Sequence, residues 1–281
     1  MSSESSAERR LDGIDAKLNR VEEHFDNLDD YALPWVTERK SWYIARDVNE
    51  GDRRYIFTLR LIKPCPPAVA VIADEIVHHL RSSLDHLACH LVEASGGQVT
   101  NSTAWPLTDS EWEWNREVER RKRPFQPWRK KGGGRLSGAS PEARAFVRGH
   151  QPDMRGGKTR DDPLTELEKL WNAEKHRVLN AIRLYAKPTN WRDLFPVTPD
   201  IEPVQFKWLA RPEDELKLNT TVKWTLFRFP KNRPLPNVDV KGQLPVEVAM
   251  GDGKGDRIEI KETLDLVRGI VGEARQSFPP P

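Results

Sequence analysis

The chain has 281 residues, long enough to bury a core, and 31% of them are charged. No apolar run approaches the ~20 residues of a membrane helix, and the N-terminal stretch MSSESSAERR lacks the apolar segment of a signal peptide. Its two cysteines, Cys65 and Cys89, are too few for a disulfide framework or a thiolate zinc site, and a reducing cytoplasm is the expected location. The net charge is +2, so any nucleic-acid affinity has to come from a local cluster of basic residues.

After an expected disordered tail at residues 1–6, the N-terminal part predicts a helix and a β-hairpin. The helix carries apolar residues spaced three and four apart, a heptad seam that favours docking within the chain. These residues are Leu11, Ile14, Leu18, Val21, Phe25 and Leu28. Two runs of alternating apolar and polar residues then flank a turn at residues 49–52, which predicts the hairpin.

A long helix is predicted next, over residues 68–94, and it carries polar groups among its leucines. The stretch HHLRSSLDHLACHLVE holds an arginine, an aspartate and four histidines. Arg81 and Asp85 lie one turn apart, and His79, His86 and His90 lie on a stripe beside the leucine face. These groups either brace the helix structurally or form a catalytic or ligand site, and the sequence leaves both interpretations open.

Residues 98–160 are predicted to be irregular, with short helices after Asp109 and after Ser140. Between these helices, a basic loop over residues 116–135 interleaves cations with aromatic side chains, a pattern suited to a nucleic-acid backbone and stacked bases. The residues expected to contact nucleic acid are Arg120, Arg121, Lys122, Arg123, Trp128, Arg129, Lys130 and Lys131. The alternative interpretation is a solvated surface loop.

The third strong helix is predicted over residues 163–187, and the motif NAEKHR lies beside its apolar stripe. Asn172 and His176 are one turn apart in this motif. If this helix pairs with the helix over residues 68–94, Asp85 and His86 would converge with Asn172 and His176 on one polar seam. An aspartate in such a seam could orient a histidine as a general acid or base.

After Pro203 the apolar period changes to two, which predicts antiparallel strands, and a last amphipathic helix closes the chain. We therefore predict an α+β fold. Residues 7–190 are expected to form a helical core that includes the hairpin. Residues 200–281 are expected to form a β-rich part whose closing helix packs with it against that core.

Other kinds of site leave weaker signals. His86 and His90, and Glu75 and His78, have helical metal-ligand spacings, so zinc stays an alternative, but a second E-x-x-H for a di-iron site is missing. The stretch PDMRGGKT nearly matches a phosphate loop, but Pro152 stands where its first glycine is needed. No nucleophile elbow is present. We predict no metal and no cofactor.

Four motifs in order resemble a widespread group of uncharacterised bacterial proteins: LRSSLDHL, AWPLTDSEWEW, SPEARAFVRGHQP and NAEKHR. The resemblance covers about residues 64–278, as counted on the sequence. It implies helices carrying the first and last motifs, a β-rich tail and a closing helix. It implies no established activity.

A second resemblance concerns the R-x4-H spacing of Arg81 and His86, which is similar to the motif of HEPN ribonucleases. That resemblance implies metal-independent RNA cleavage at the interface of a homodimer. Arg81 would stabilise phosphate charge and His86 would transfer a proton. The sequence thus leaves two functions open: an RNA-directed protein that binds or cleaves RNA, or a non-enzymatic binding or scaffold protein in which these residues form a structural seam.

Overall fold

The structure is a computed structural model, and it describes residues 6–37, 41–119, 134–156, 159, 162–176, 181–186, 205–208, 221–232, 246–251, 257–258 and 260–280. The helices in these residues are α1 (Ser6–Thr37), α2 (Pro67–Ala94), α3 (Glu111–Trp114), α4 (Pro141–Gly149), α5 (Pro163–His176) and α6 (Ile260–Ser277). The strands are β1 (Trp42–Asn49), β2 (Arg54–Leu61), β3 (Ala181–Ala186), β4 (Gln205–Trp208), β5 (Thr221–Arg228), β6 (Val246–Gly251) and β7 (Arg257–Ile258). A π-helical turn, Asn115–Glu119, continues α3. The predicted α+β class is confirmed.

The chain divides into two compact units, and helices α1 and α2 contribute to both. The helical unit contains residues 1–26, 74–179 and 259–281, and the sheet unit contains residues 27–73 and 180–258. This division differs from the predicted one. The hairpin belongs to the sheet unit, and the closing helix α6 belongs to the helical unit. Within the described residues, no helix combines the length and apolarity needed to cross a bilayer.

The sheet unit contains two antiparallel sheets in its described part, with strand orders β1-β2-β5-β4 and β3-β6-β7. The predicted hairpin forms with Trp42 opposite Leu61 and Asn49 opposite Arg54. Strand β2 then pairs with β5, where Tyr55 lies opposite Phe227. This pairing explains why the hairpin groups with the later strands: the open edge of β2 completes its backbone hydrogen bonds with β5.

The helical unit is organised around α2, because the leucine face predicted from sequence is fully buried. Ile76, Leu80, Leu84, Leu87 and Leu91 each have 0% exposure. Four residues of the predicted seam of α1 are also buried, namely Leu11, Ile14, Leu18 and Val21. Residues on one face of α6 complete the apolar core: Leu264, Val267, Ile270, Val271 and Ala274. Apolar stripes on separate helices that are buried in one unit indicate a helical bundle.

The helix predicted over residues 163–187 is shorter than expected, because α5 ends at His176 and residues 181–186 form strand β3. Ile182 and Tyr185 fall within the predicted helix, but they lie in a strand that pairs with β6, Ile182 opposite Met250. The run AIRLYA also alternates Ile182, Leu184 and Ala186 with polar or amphipathic residues. Such a short apolar run is compatible with a helix or with a strand. The hydrogen bonds to β6 determine that it forms a strand.

Candidate functional site

Arg81, the residue proposed from sequence to contact phosphate, is buried inside the helical unit with 3% exposure. Its Nη1 lies 2.8 Å from Oδ1 of Asp85, one turn along α2. Its Nη2 donates a hydrogen bond of 2.9 Å to the carbonyl oxygen of Trp105. Its Nε faces Oε2 of Glu168, on α5, at 3.6 Å. The guanidinium is therefore surrounded by two carboxylates and a carbonyl of the same chain.

Asp85 completes this arrangement by binding the other backbone polar group of Trp105. Its Oδ1 accepts a hydrogen bond of 2.9 Å from the backbone N–H of Trp105, whose side chain is fully buried. Arg81 and Asp85 together satisfy both backbone polar groups of Trp105, and we call these three residues the Trp105 clamp. The motif AWPLTDSEWEW is thus hydrogen-bonded through its tryptophan backbone to the helix that carries the motif LRSSLDHL.

The electrostatics of the clamp follow from its burial. Desolvation lowers the pKa of Arg81, and the charges of Asp85 and Glu168 raise it again. An arginine stays protonated under such conditions because its ordinary pKa is far above neutrality. A buried, permanently charged group needs its partners, since removal of one partner of a buried pair typically costs ~3–5 kcal/mol.

The clamp is connected to the base of the predicted basic loop. The N–H of Ala104, the residue before Trp105, donates to the carbonyl oxygen of Arg135 at 3.2 Å, and the N–H of Arg135 donates to the carbonyl oxygen of Glu117 at 3.2 Å. A Cβ added at Gly134 would lie 2.5 Å from the carbonyl oxygen of Val118, so a side chain there would clash with backbone. The two ends of the loop are therefore tied together beside the clamp.

The predicted nucleic-acid-binding residues lie outside the described residues. These residues are Arg120, Arg121, Lys122, Arg123, Trp128, Arg129, Lys130 and Lys131. At the edge of the loop, the Arg116 guanidinium lies 4.7 Å from the ring centroid of the exposed Trp112. Arg116 also pairs with Glu113 and Glu117.

His86, the proposed proton-transfer residue, lies on a different face of α2 from Arg81. Residues five apart on a helix are about 140° apart. Burial lowers the pKa of His86, and the positive charges of Lys17 and Arg10 on α1 lower it further, while Asp85 raises it. His86 is therefore on the side of α2 that faces α1, whereas Arg81 points toward Trp105 and α5.

Beside the histidine stripe of α2, three polar pairs join α1 to α2, and their α1 members are seven residues apart. We call these three pairs the polar ladder. Arg10 makes two hydrogen bonds with the carboxylate of Glu93, of 2.8 and 3.0 Å. Lys17 Nζ donates to Ser82 Oγ at 2.6 Å. His24 Nε2 lies 3.4 Å from Glu75 Oε2. The ladder shows that α1 and α2 run antiparallel, and it fixes their register beside the apolar seam.

His24 was not identified from the sequence, but the structure places it in a histidine cluster whose central member is His79. Its ring stacks on that of His79 with centroids 5.7 Å apart and planes at 20°, and the ring of His78 lies 5.8 Å from that of His79. His24 is only 3% exposed. A signal was present, because Arg10, Lys17 and His24 follow the heptad period of the neighbouring apolar seam.

His90 has a structural role. It is fully buried, and its Nε2 lies 2.9 Å from the carbonyl oxygen of Phe278, just beyond the end of α6. The ring of Phe278 in turn packs edge-on against Phe146 of α4, with centroids 5.5 Å apart. Since a carbonyl oxygen only accepts, Nε2 of His90 donates this hydrogen bond, which joins α2 to the residue after α6.

The four residues predicted to converge are only partly brought together. Asn172 is exposed, and its Nδ2 donates to Oε1 of Glu168 at 3.2 Å, so it adjoins Arg81 through that carboxylate. His86 faces α1 instead. The side chain of His176 lies outside the described residues. Adjacent positions on a helix point about 100° apart, so Asp85 and His86 serve different neighbours.

In the described part of the chain, no three or more histidine, cysteine, aspartate or glutamate side chains are arranged to hold a metal ion. Comparison of the chain with protein-family models, with curated proteins and with solved structures gave no match.

Proposed function

We propose that this protein binds RNA through its basic loop and does not cleave it. The proposal that the protein does not cleave RNA rests on the Trp105 clamp. An arginine that stabilises a transition state must reach the phosphate, with donors aimed at the developing charge. Arg81 instead directs its guanidinium at Asp85, Glu168 and the carbonyl of Trp105, with 3% of its surface exposed.

The position of His86 supports the same conclusion. A general acid and a phosphate-binding cation must meet at one substrate. His86 lies beside Lys17 and Arg10 of α1, on a face of α2 turned away from Arg81. Cleavage by one protomer would require the clamp to break, and breaking it would leave Asp85 and Glu168 without their shared cation.

Support for RNA binding comes from the composition of the loop and from its attachment. Residues 120–133 contain seven cations, no acidic residue and the aromatic residues Phe125 and Trp128. Cations supply affinity for phosphates by releasing counterions, and aromatic rings stack on unpaired bases. The residues that flank this segment, Glu117 and Arg135, are tied together beside the Trp105 clamp, so the clamp would hold an RNA-binding element in place. Cytoplasmic location is part of this proposal.

The test is fluorescence anisotropy of labelled single-stranded RNA with the full chain in EDTA, followed by electrophoresis of the same samples. The proposal expects binding that weakens with salt and RNA that stays intact. The variant R120Q/R121Q/K122Q/R123Q should weaken binding and flatten the dependence of log K on log salt by about three units at most. Light scattering on the same samples would test the homodimer that the HEPN resemblance implies.

A matched control removes four exposed cations elsewhere: Arg9, Lys223, Lys231 and Lys261, each changed to Gln. The net charge changes by the same amount in both variants, so only a site-specific interaction separates them. Equal loss in the two variants would contradict a loop-centred site. RNA cleavage in EDTA that disappears in His86→Ala would contradict the non-catalytic half of the proposal. Absence of any RNA binding would leave the scaffold interpretation.

A further inference from the structure

The contact between α1 and α2 contains a pair of imidazoles that the proposed function does not use. The rings of His24 and His79 are nearly parallel, with centroids 5.7 Å apart, and the Nδ1 atoms of both are buried without a hydrogen-bond partner. Buried polar atoms in native proteins are usually paired, so two orphan nitrogens in one contact call for an explanation. An unpaired ring nitrogen accepts a proton readily once solvent reaches it.

The charged groups around this pair favour the neutral state. From α1, Lys17 faces His79, and Arg20 faces His24 but is itself paired with Glu23 at 2.6 Å. From α2, the exposed Glu75 is the nearest compensating carboxylate, and His78 adjoins His79. The neighbour from α5 is Trp171, which contacts His78 and carries no charge.

Burial lowers the pKa of both histidines. For His24 burial is the largest cause, with Glu75 raising the pKa in opposition. For His79 burial is again the largest cause, and Lys17, His24 and His78 lower the pKa further. The pKa of His86, two turns along α2 from His79, is also lowered by burial and by Lys17 and Arg10.

We propose that the α1–α2 contact is an acid-sensitive switch, in which protonation of the stacked His24 and His79 separates α1 from α2. Two imidazolium rings at this spacing repel each other and Lys17, and Glu75 can compensate only one charge. His24, at 3% exposure, can be solvated only if the helices part. Separation exposes the apolar seam of α1, including Leu18 and Val21, as a surface available only at low pH.

The sign of the pH dependence follows from the direction of the shifts. A histidine with a folded pKa below its ordinary value of 6.5 binds fewer protons in the closed state than in the open state. The closed contact is therefore fully favoured above about pH 6.5 and weakens as the pH falls below it. Each histidine raises the open fraction by at most about tenfold for each pH unit below that point.

The test is amide hydrogen exchange of the full chain between about pH 7.5 and about pH 5.5, corrected for the intrinsic exchange rate. We expect the open fraction of peptides from residues 14–26 to rise as the pH falls, while peptides from α4 change little. The variant His79→Gln should reduce the pH dependence. His150→Gln should keep it, because this histidine lies on α4's end beside Glu273.

If His79→Gln does not fold, a second variant, Glu75→Gln, tests the same proposal. Glu75 is exposed and raises the pKa of both histidines, so Glu75→Gln should leave the fold intact and increase the acid response. A wild-type α1 whose open fraction is constant over this range would overturn the proposal. So would a Glu75→Gln variant with an unchanged or smaller acid response.

Discussion

Two sides of α2 hold buried polar groups whose charge is compensated differently. On one side, the buried cation of Arg81 is flanked by the carboxylates of Asp85 and Glu168, and the Trp105 clamp pairs both backbone polar groups of a buried residue. On the other side, His24 and His79 lie with nearly parallel rings and unpaired buried Nδ1 atoms, and the neighbouring carboxylates, Glu75 and Glu23, belong to surface residues. The first arrangement depends on keeping its partners, while the second depends on staying uncharged.

The comparison predicts its largest effect at Asp85. Asp85→Ala removes both the closest counter-charge of Arg81 and the acceptor for the N–H of Trp105. We expect a loss of about 3 kcal/mol in the free energy of unfolding, at the lower end of the range for a broken buried pair because Glu168 remains. Urea denaturation measures it, with Asn172→Ala as an exposed control expected to change less than about 0.5 kcal/mol.

Asp85→Asn sharpens this prediction, since the amide retains an oxygen that can accept from Trp105 while losing the charge. The free energy of unfolding of Asp85→Asn should therefore lie between those of the wild type and of Asp85→Ala. A loss below about 0.5 kcal/mol in Asp85→Ala would mean that the clamp does not hold the Trp105 segment.

A smaller effect is expected from the ladder that sets the register of α1 on α2. Arg10 and Glu93 form a two-hydrogen-bond ion pair whose side chains are 29% and 23% exposed. A double-mutant cycle with Arg10→Met and Glu93→Gln should give a coupling energy of about 0.5–1 kcal/mol, because solvent and salt screen a partly exposed pair. A coupling energy that stays constant between low and high salt would contradict this account.

The smallest effect is expected at His86. It is half-buried at the edge of the seam, so His86→Ala should cost at most about 0.5–1 kcal/mol, measured by urea denaturation. The variant should bind RNA as the wild type does, because the basic loop is untouched. A large loss of stability would place His86 with the structural groups of the clamp, and a loss of RNA binding would move the RNA site toward α1.

Several features of the fold could be read from local patterns. The leucine face of α2, the hairpin and the start of α4 were predicted, and at that start the N–H of Ala143 donates to Oγ of Ser140 at 3.2 Å. These features depend on residues within a few positions of each other. The end of α5 could not be read in this way. Ile182 and Tyr185 fit a helical stripe, whereas Ile182, Leu184 and Ala186 fit the period of a strand, and only the pairing with β6, far along the chain, distinguishes the two.

The sequence by itself determined that polar residues lie beside the leucine face of α2, and that Arg81 and Asp85 are one turn apart on this helix. Only the tertiary structure decided what those groups do. The partners of Arg81 on Trp105 and Glu168, and the stacking of His24 on His79, join residues that are 24 to 87 positions apart in the chain. Helical periodicity fixes the direction in which a side chain points, but burial and charge compensation depend on the neighbour that the fold brings to that face.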